Sequence, residues 1–156
     1  PAARDPAREL ANPVGRPAWD LARIQAGVPD LGAAVSEVFI PQEANLEALD
    51  GISYTKGCYT GQKVVARPKH PGRLKRRLYR VTGNSALKAG QAVYAEGQDQ
   101  AQGRIVQAAP QAHGGWAALA VLRIEAAEGD RPLPPEGSGD ALELLDLPYP
   151  VAEAAE

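Results

Sequence analysis

Leu74-Lys75-Arg76-Arg77-Leu78-Tyr79-Arg80-Val81-Thr82-Gly83 is the stretch at which the period of the sequence changes. Leu78, Arg80 and Thr82 alternate with Tyr79 and Val81, the two-residue repeat of a strand whose side chains leave by opposite faces. Three further runs read as strands: residues 92–95, 103–108 and 116–124. They are divided by Gly90, Gly97, Pro110 and the pair Gly114-Gly115. Short strands at this spacing predict a small antiparallel barrel or sandwich over residues 73–126.

Upstream, the punctuation is that of helices and turns. Pro17 suits a first helical turn, Trp19, Ala22 and Ala26 share one face, and Gly27 then Pro29 end the helix at Gln25. Pro41 opens a second short helix, with Leu46 and Leu49 as its expected buried positions. Residues 50–62 are turn-rich. Thr60 then suits the N-cap of a helix over 61–66, which Pro68 stops. Residues 1–16 read as irregular. The tail, 127–156, is acidic and proline-rich and is expected to be extended, with residues 141–147 docked.

Composition bounds the function. Of 156 residues, 44% are apolar and 23% charged, which is the balance of a globular chain. No apolar run reaches the ~18–20 residues of a membrane span, and the N-terminus has no apolar signal core. The single cysteine excludes an internal disulfide and a self-held zinc or iron–sulfur centre, and points to a reducing compartment, the cytoplasm. The chain contains no methionine and begins at Pro1, so it reads as a processed or trimmed chain or a fragment of something longer.

Charge is segregated. Residues 51–95 carry ten of the 17 basic residues and no acidic one. Such a segment attracts an anion, or balances an acidic body as a solvated surface. Only Tyr54, Tyr59 and Tyr79 interleave with it, and neither an RNP-like motif nor a helix-turn-helix is present, which speaks against nucleic acid.

The least generic stretch is Lys56-Gly57-Cys58-Tyr59-Thr60-Gly61-Gln62. A lysine and a helix start on either side of Cys58 both favour thiolate over thiol. A buried apolar cysteine is the other reading, and local physics leaves the two open. His70 and His113 have no spacing that builds a Cys–His dyad or a metal site. Glu43, Glu47 and Asp50 read as the wet face of a helix, with Glu43 near enough to Pro41 to reach a pocket.

KGCYTGQ, followed by VVAR at residues 64–67, resembles the signature of the YgfZ family, the folate-binding branch related to the glycine-cleavage T protein. WDLARIQAGVP at 19–29, IPQEANL at 40–46, GISY at 51–54 and LPYPVAE at 147–153 are similar to family segments in the same order. The resemblance implies an α+β architecture: the C-terminal part of an α/β folate-binding domain over residues 1–72, then the antiparallel barrel. It implies tetrahydrofolate or a derivative as cofactor and a part in iron–sulfur cluster assembly or repair, with client proteins or assembly factors as partners. Cys58 is then the functional thiol, with Lys56 beside it. Trp19, Arg23, Gln42, Glu43, Asn45, Tyr59, Gly61 and Gln62 match positions around the folate. Trp19 would stack on the pterin, and Arg67 would meet the glutamate tail by charge-assisted hydrogen bonds. Lys63 stands where the family motif continues with Glu. Two other readings stand beside this one. The first is a folate-dependent aminomethyl or one-carbon transferase of the T-protein kind. The second is an anion- or RNA-binding module using residues 69–80.

Overall fold

The computed structural model describes residues 13–53, 56–57 and 74–151. Among the described residues the first helix, here α1, spans Arg16–Gln25, and a 3-10 turn follows at Ala33–Val35. Five strands come next: β1 (Arg76–Gly83), β2 (Ala92–Tyr94), β3 (Ala101–Pro110), β4 (Trp116–Arg123) and β5 (Glu143–Leu145). A one-turn helix, α2 (Ile124–Ala127), follows β4 directly. The strands form one sheet in the order β2-β3-β4-β1-β5, antiparallel at every pairing. The chain is therefore α+β. All four strands read from the sequence form, and β5, in the acidic tail, docks on β1.

β4 is the centre of the fold because it is buried on both faces. Ala118, Ala120 and Leu122 enter a core with Val81, Leu87, Val93 and Ile105. Ala117, Leu119 and Val121 enter a second core with Leu78, Val106 and Ile24 of α1. A strand with apolar neighbours on both sides shows a continuous apolar run rather than alternation, which is how residues 116–122 read. The small side chains of Ala117, Ala118 and Ala120 let both layers approach closely. Gly103 of β3 takes this further. A Cβ there would stand 2.2 Å from the carbonyl oxygen of Val121 and 2.6 Å from Leu122 Cδ2.

A β-bulge between Ile105 and Gln107 positions α1. Ile105 faces Ala120 and Gln107 faces Leu119, so Val106 is the inserted residue. Val106 is buried in the helix-side core, and the amide of Gln107 turns to α1 and the turn beyond it. Gln107 Oε1 accepts from the Asp30 backbone at 3.1 Å, and its Nε2 lies 3.4 Å from Asp20 Oδ1.

The β2 edge of the sheet is covered by backbone rather than left open. Tyr94 and Glu96 donate to the carbonyls of Pro134 and Pro132, and Glu136 donates to Ala92. Leu142, just before β5, donates to Leu133 at 3.0 Å. Main-chain bonds thus lead from β2 round to the segment that enters β5. Pro132 and Pro134 accept from Glu96 and Tyr94 but cannot donate back, so pairing at these two positions runs one way, while Leu133 between them takes the bond from Leu142.

One expected element differs. The short helix after Pro41 does not form. Residues 41–50 make two successive one-turn structures, each closed by a residue at positive φ: Asn45 at 55° and Asp50 at 55°. In each, the next N–H reaches back five residues, Leu46 to Pro41 O at 3.1 Å and Gly51 to Leu46 O at 2.7 Å. That is the Schellman closure of a helix end, here applied after a single turn. The buried positions are accordingly Gln42, Ala44 and Asn45, while Leu46 and Leu49 are only half-buried. The helix expected over 61–66 lies outside the described residues. No helix among the described residues is long and apolar enough to cross a membrane.

Candidate functional site

The site begins with the way α1 lies on the sheet. Its packing face carries Leu21 and Ile24, and Ile24 is fully buried. Trp19, Ala22 and Ala26 share the opposite face and are exposed, and the Trp19 indole is 57% accessible. The face that the sequence marks as apolar is thus the one α1 turns away from the sheet. Val14, Val28, Leu31 and Val38 are also exposed large apolar residues, all within the same N-terminal stretch.

Arg23 stands one turn beyond Trp19. Its guanidinium donates to Pro29 O at 2.9 Å and pairs with Asp30 at 3.0 Å. Arg16 reaches the same Asp30 carboxylate at 3.0 Å and also binds Asp20 at 2.7 Å. Asp30 thus receives two arginines, and its backbone N–H is held by Gln107. These bonds close the turn after α1 against its own helix and against β3.

The segment expected to face the folate divides into different roles. Asn45 is buried. Its Nδ2 donates to Leu78 O at 3.0 Å, and its Oδ1 accepts from Leu78 N–H at 3.4 Å. β5 pairs with β1 only from Arg80 to Thr82, so the Asn45 amide takes the next ladder position where that strand ends. Gln42 is buried in the same turn. Glu43 is half-buried and accepts from the Ile40 backbone at 3.3 Å, a local bond within its own turn. Lys56 is exposed, with its backbone N–H on Ser53 Oγ at 3.3 Å. Cys58, Tyr59, Gly61, Gln62 and Arg67 lie outside the described residues.

The structure adds one residue with no assigned role in the sequence reading, Tyr149. Its hydroxyl donates to Gly27 O at 2.7 Å across 122 positions of chain. The ring occupies the space that a Gly27 side chain would need: a Cβ there would lie 2.6 Å from Tyr149 Cε1 and 3.0 Å from Leu147 Cδ2. Gly27 has φ 68°, so its glycine serves both the turn and the close approach. Burial pushes the Tyr149 pKa up, and the neighbouring Asn45 side chain opposes that in part. Residues 26–29 and 147–150, far apart in the sequence, therefore meet at one point. The only hint in the sequence was that both belong to similar-looking family segments.

Comparison with known proteins supplies the family. No family model matches the chain. It is 36% identical over 138 residues, 86% of its length, to the tRNA-modifying protein YgfZ of Enterobacter sp. (strain 638). This chain belongs to the YgfZ family. Proteins of the same name from Yersinia pestis (strain Pestoides F) and Yersinia pseudotuberculosis serotype O:1b (strain IP 31758) are 54% identical to it over 68 residues, 44% of the chain. The alignments span 42% of the Enterobacter YgfZ and 21% of each Yersinia YgfZ, so the chain corresponds to less than half the length of these relatives.

Proposed function

We propose that this chain is part of a tetrahydrofolate-binding accessory protein that acts in assembly or repair of iron–sulfur clusters, with Cys58 as the working thiol. The observation that carries the reading is the outward Trp19. An indole 57% exposed on the face of α1 that turns away from the sheet is free to stack on a flat heterocycle. Lys56, also exposed, stands two residues from Cys58, where its charge favours the thiolate. A single thiolate supplies one ligand where a cluster takes four, so Cys58 acts as a transient ligand or redox group and not as a permanent cradle. The relatives are named tRNA-modifying proteins, which fits a client enzyme that carries a cluster and modifies tRNA. The run of main-chain bonds from β2 round to β5 is compatible with the antiparallel barrel that this family resemblance implies.

The test is direct. In the full-length protein, 5-formyltetrahydrofolate should quench Trp19 fluorescence and raise the melting temperature. No quenching and no shift would reject the folate reading. Cys58→Ala should lower iron–sulfur enzyme activity in a complementation assay, and unchanged activity would reject the thiol's role.

A second reading, RNA contact, rests on a separate observation. Arg76 and Arg123 stand directly opposite each other on β1 and β4. Neither forms an ion pair among the described residues, an arrangement that like-charge repulsion disfavours unless an anion arrives. Salt-sensitive tRNA binding that Arg76→Ala and Arg123→Ala both weaken, and that folate leaves unchanged, would favour it.

A further inference from the structure

α1 carries Trp19 on its outer face, yet the atoms that fix the helix's C-terminal end come from far along the chain. Arg80 of β1 donates to Gln25 O at 3.0 Å, and Tyr149 donates to Gly27 O at 2.7 Å. One phenol therefore ties the turn at the end of the Trp19 helix to the C-terminal segment, while Arg80 ties the same helix end to β1. A Cβ on Gly27 would collide with the Tyr149 ring and with Leu147, so the fit is steric as well as polar.

We infer that Leu147 to Pro150 forms a strap, with Tyr149 as a positioning residue that holds the C-terminal end of α1, and so Trp19, in place. Tyr149 acts through Gly27 and α1. This rests on the folate reading for its consequence, while the strap itself is a property of the ligand-free chain. The strap sharpens ligand binding by holding the indole in place before the ligand arrives, which lowers the ordering cost on binding.

The experiment uses the full-length protein and Tyr149→Phe, which keeps the ring and removes one donor, beside Tyr149→Ala, which removes both. Hydrogen exchange of the α1 amides is measured without ligand. Affinity for 5-formyltetrahydrofolate is measured by calorimetry, well below the melting temperature, so that only folded molecules are compared. Tyr149→Phe should raise exchange at residues 26–28 and weaken binding about two- to tenfold, the range expected for one lost hydrogen bond. Tyr149→Ala should do more on both measures. Unchanged exchange in both variants overturns the strap, whether or not folate binds. Raised exchange with unchanged affinity overturns its positioning role. A wild-type protein that binds no folate rejects the folate reading, and the exchange result still decides the strap.

Discussion

Replacing Asn45 by alanine tests whether a side chain matched to the ligand cavity holds the fold instead. Asn45 makes two bonds to the Leu78 backbone in a buried setting, one good at 3.0 Å and one marginal at 3.4 Å. Alanine leaves the Leu78 carbonyl without its partner, at about 1–3 kcal/mol, and the N–H at the low end of the same range. Asn45 also has φ 55°, where alanine costs about 1 kcal/mol more than asparagine. The total is about 3–5 kcal/mol, a large share of the ~5–15 kcal/mol that holds a typical domain. Two companions separate the contributions. Asn45→Gly relieves the φ cost and keeps the loss of bonds, so it should be about 1 kcal/mol more stable than Asn45→Ala. Asn45→Asp keeps an acceptor for the Leu78 N–H and loses the donor to its carbonyl, so its stability should be well below that of the wild type. Urea unfolding followed by circular dichroism reads all three. An Asn45→Ala protein within about 1 kcal/mol of wild type would refute the account, since a bond pair that matters to β1 cannot vanish at so small a cost.

Other predictions follow from the same contacts. Gly103→Ala drives a methyl into the Val121 carbonyl 2.2 Å away, so one strand must shift. Thermal melting should show a loss of about 3 kcal/mol or more, and a near-native melting temperature would mean the close approach of β3 and β4 is wrong. Trp19→Ala removes an exposed indole. Its unfolding free energy should change by less than about 0.5 kcal/mol, while 5-formyltetrahydrofolate binding measured by calorimetry falls away. Equal binding would remove Trp19 from the site. Burial raises the pKa of both Tyr79 and Tyr149 above the ordinary 10.0. Folding therefore favours the neutral phenols, and their stabilisation is complete below pH 10 and lost as pH rises through the raised values. Urea midpoints should fall above pH 10, and less steeply in the Tyr79→Phe, Tyr149→Phe double variant. Equal slopes would contradict it.

The local grammar of the chain was legible where short-range chemistry decides. Pro17, Gly27 and Pro29 bound α1 close to where the helix lies, and the period-two run at 78–82 sits inside β1. The second helix failed for a reason partly local and partly distant. Asn45 is one of the few non-glycine residues that settles at positive φ, and its side chain finds the Leu78 backbone 33 positions away. Hydrophobic spacing marked Leu46 and Leu49, but it carries no term for that distant bond. The candidate site was legible only through the family resemblance, which implied Trp19, Arg23, Gln42, Glu43 and Asn45 around one ligand. In the fold, Trp19 faces outward, Arg23 is paired with Asp30, Glu43 bonds within its own turn and Asn45 is tied to β1.

By itself, then, the sequence determined four of the five described strands, the first described helix, the basic stretch and the family motifs, because propensity, periodicity and motif spacing act over a few residues. Which face of α1 meets the sheet was decided by tertiary structure alone. Its apolar stripe of Trp19, Ala22 and Ala26 was visible, but Leu21 and Ile24 on the other face fill the space beside Val106 and Leu119. The opposition of Arg76 and Arg123 arose only from strand register. The meeting of Gly27 and Tyr149 arose only when folding brought together a backbone and a side-chain partner 122 positions apart.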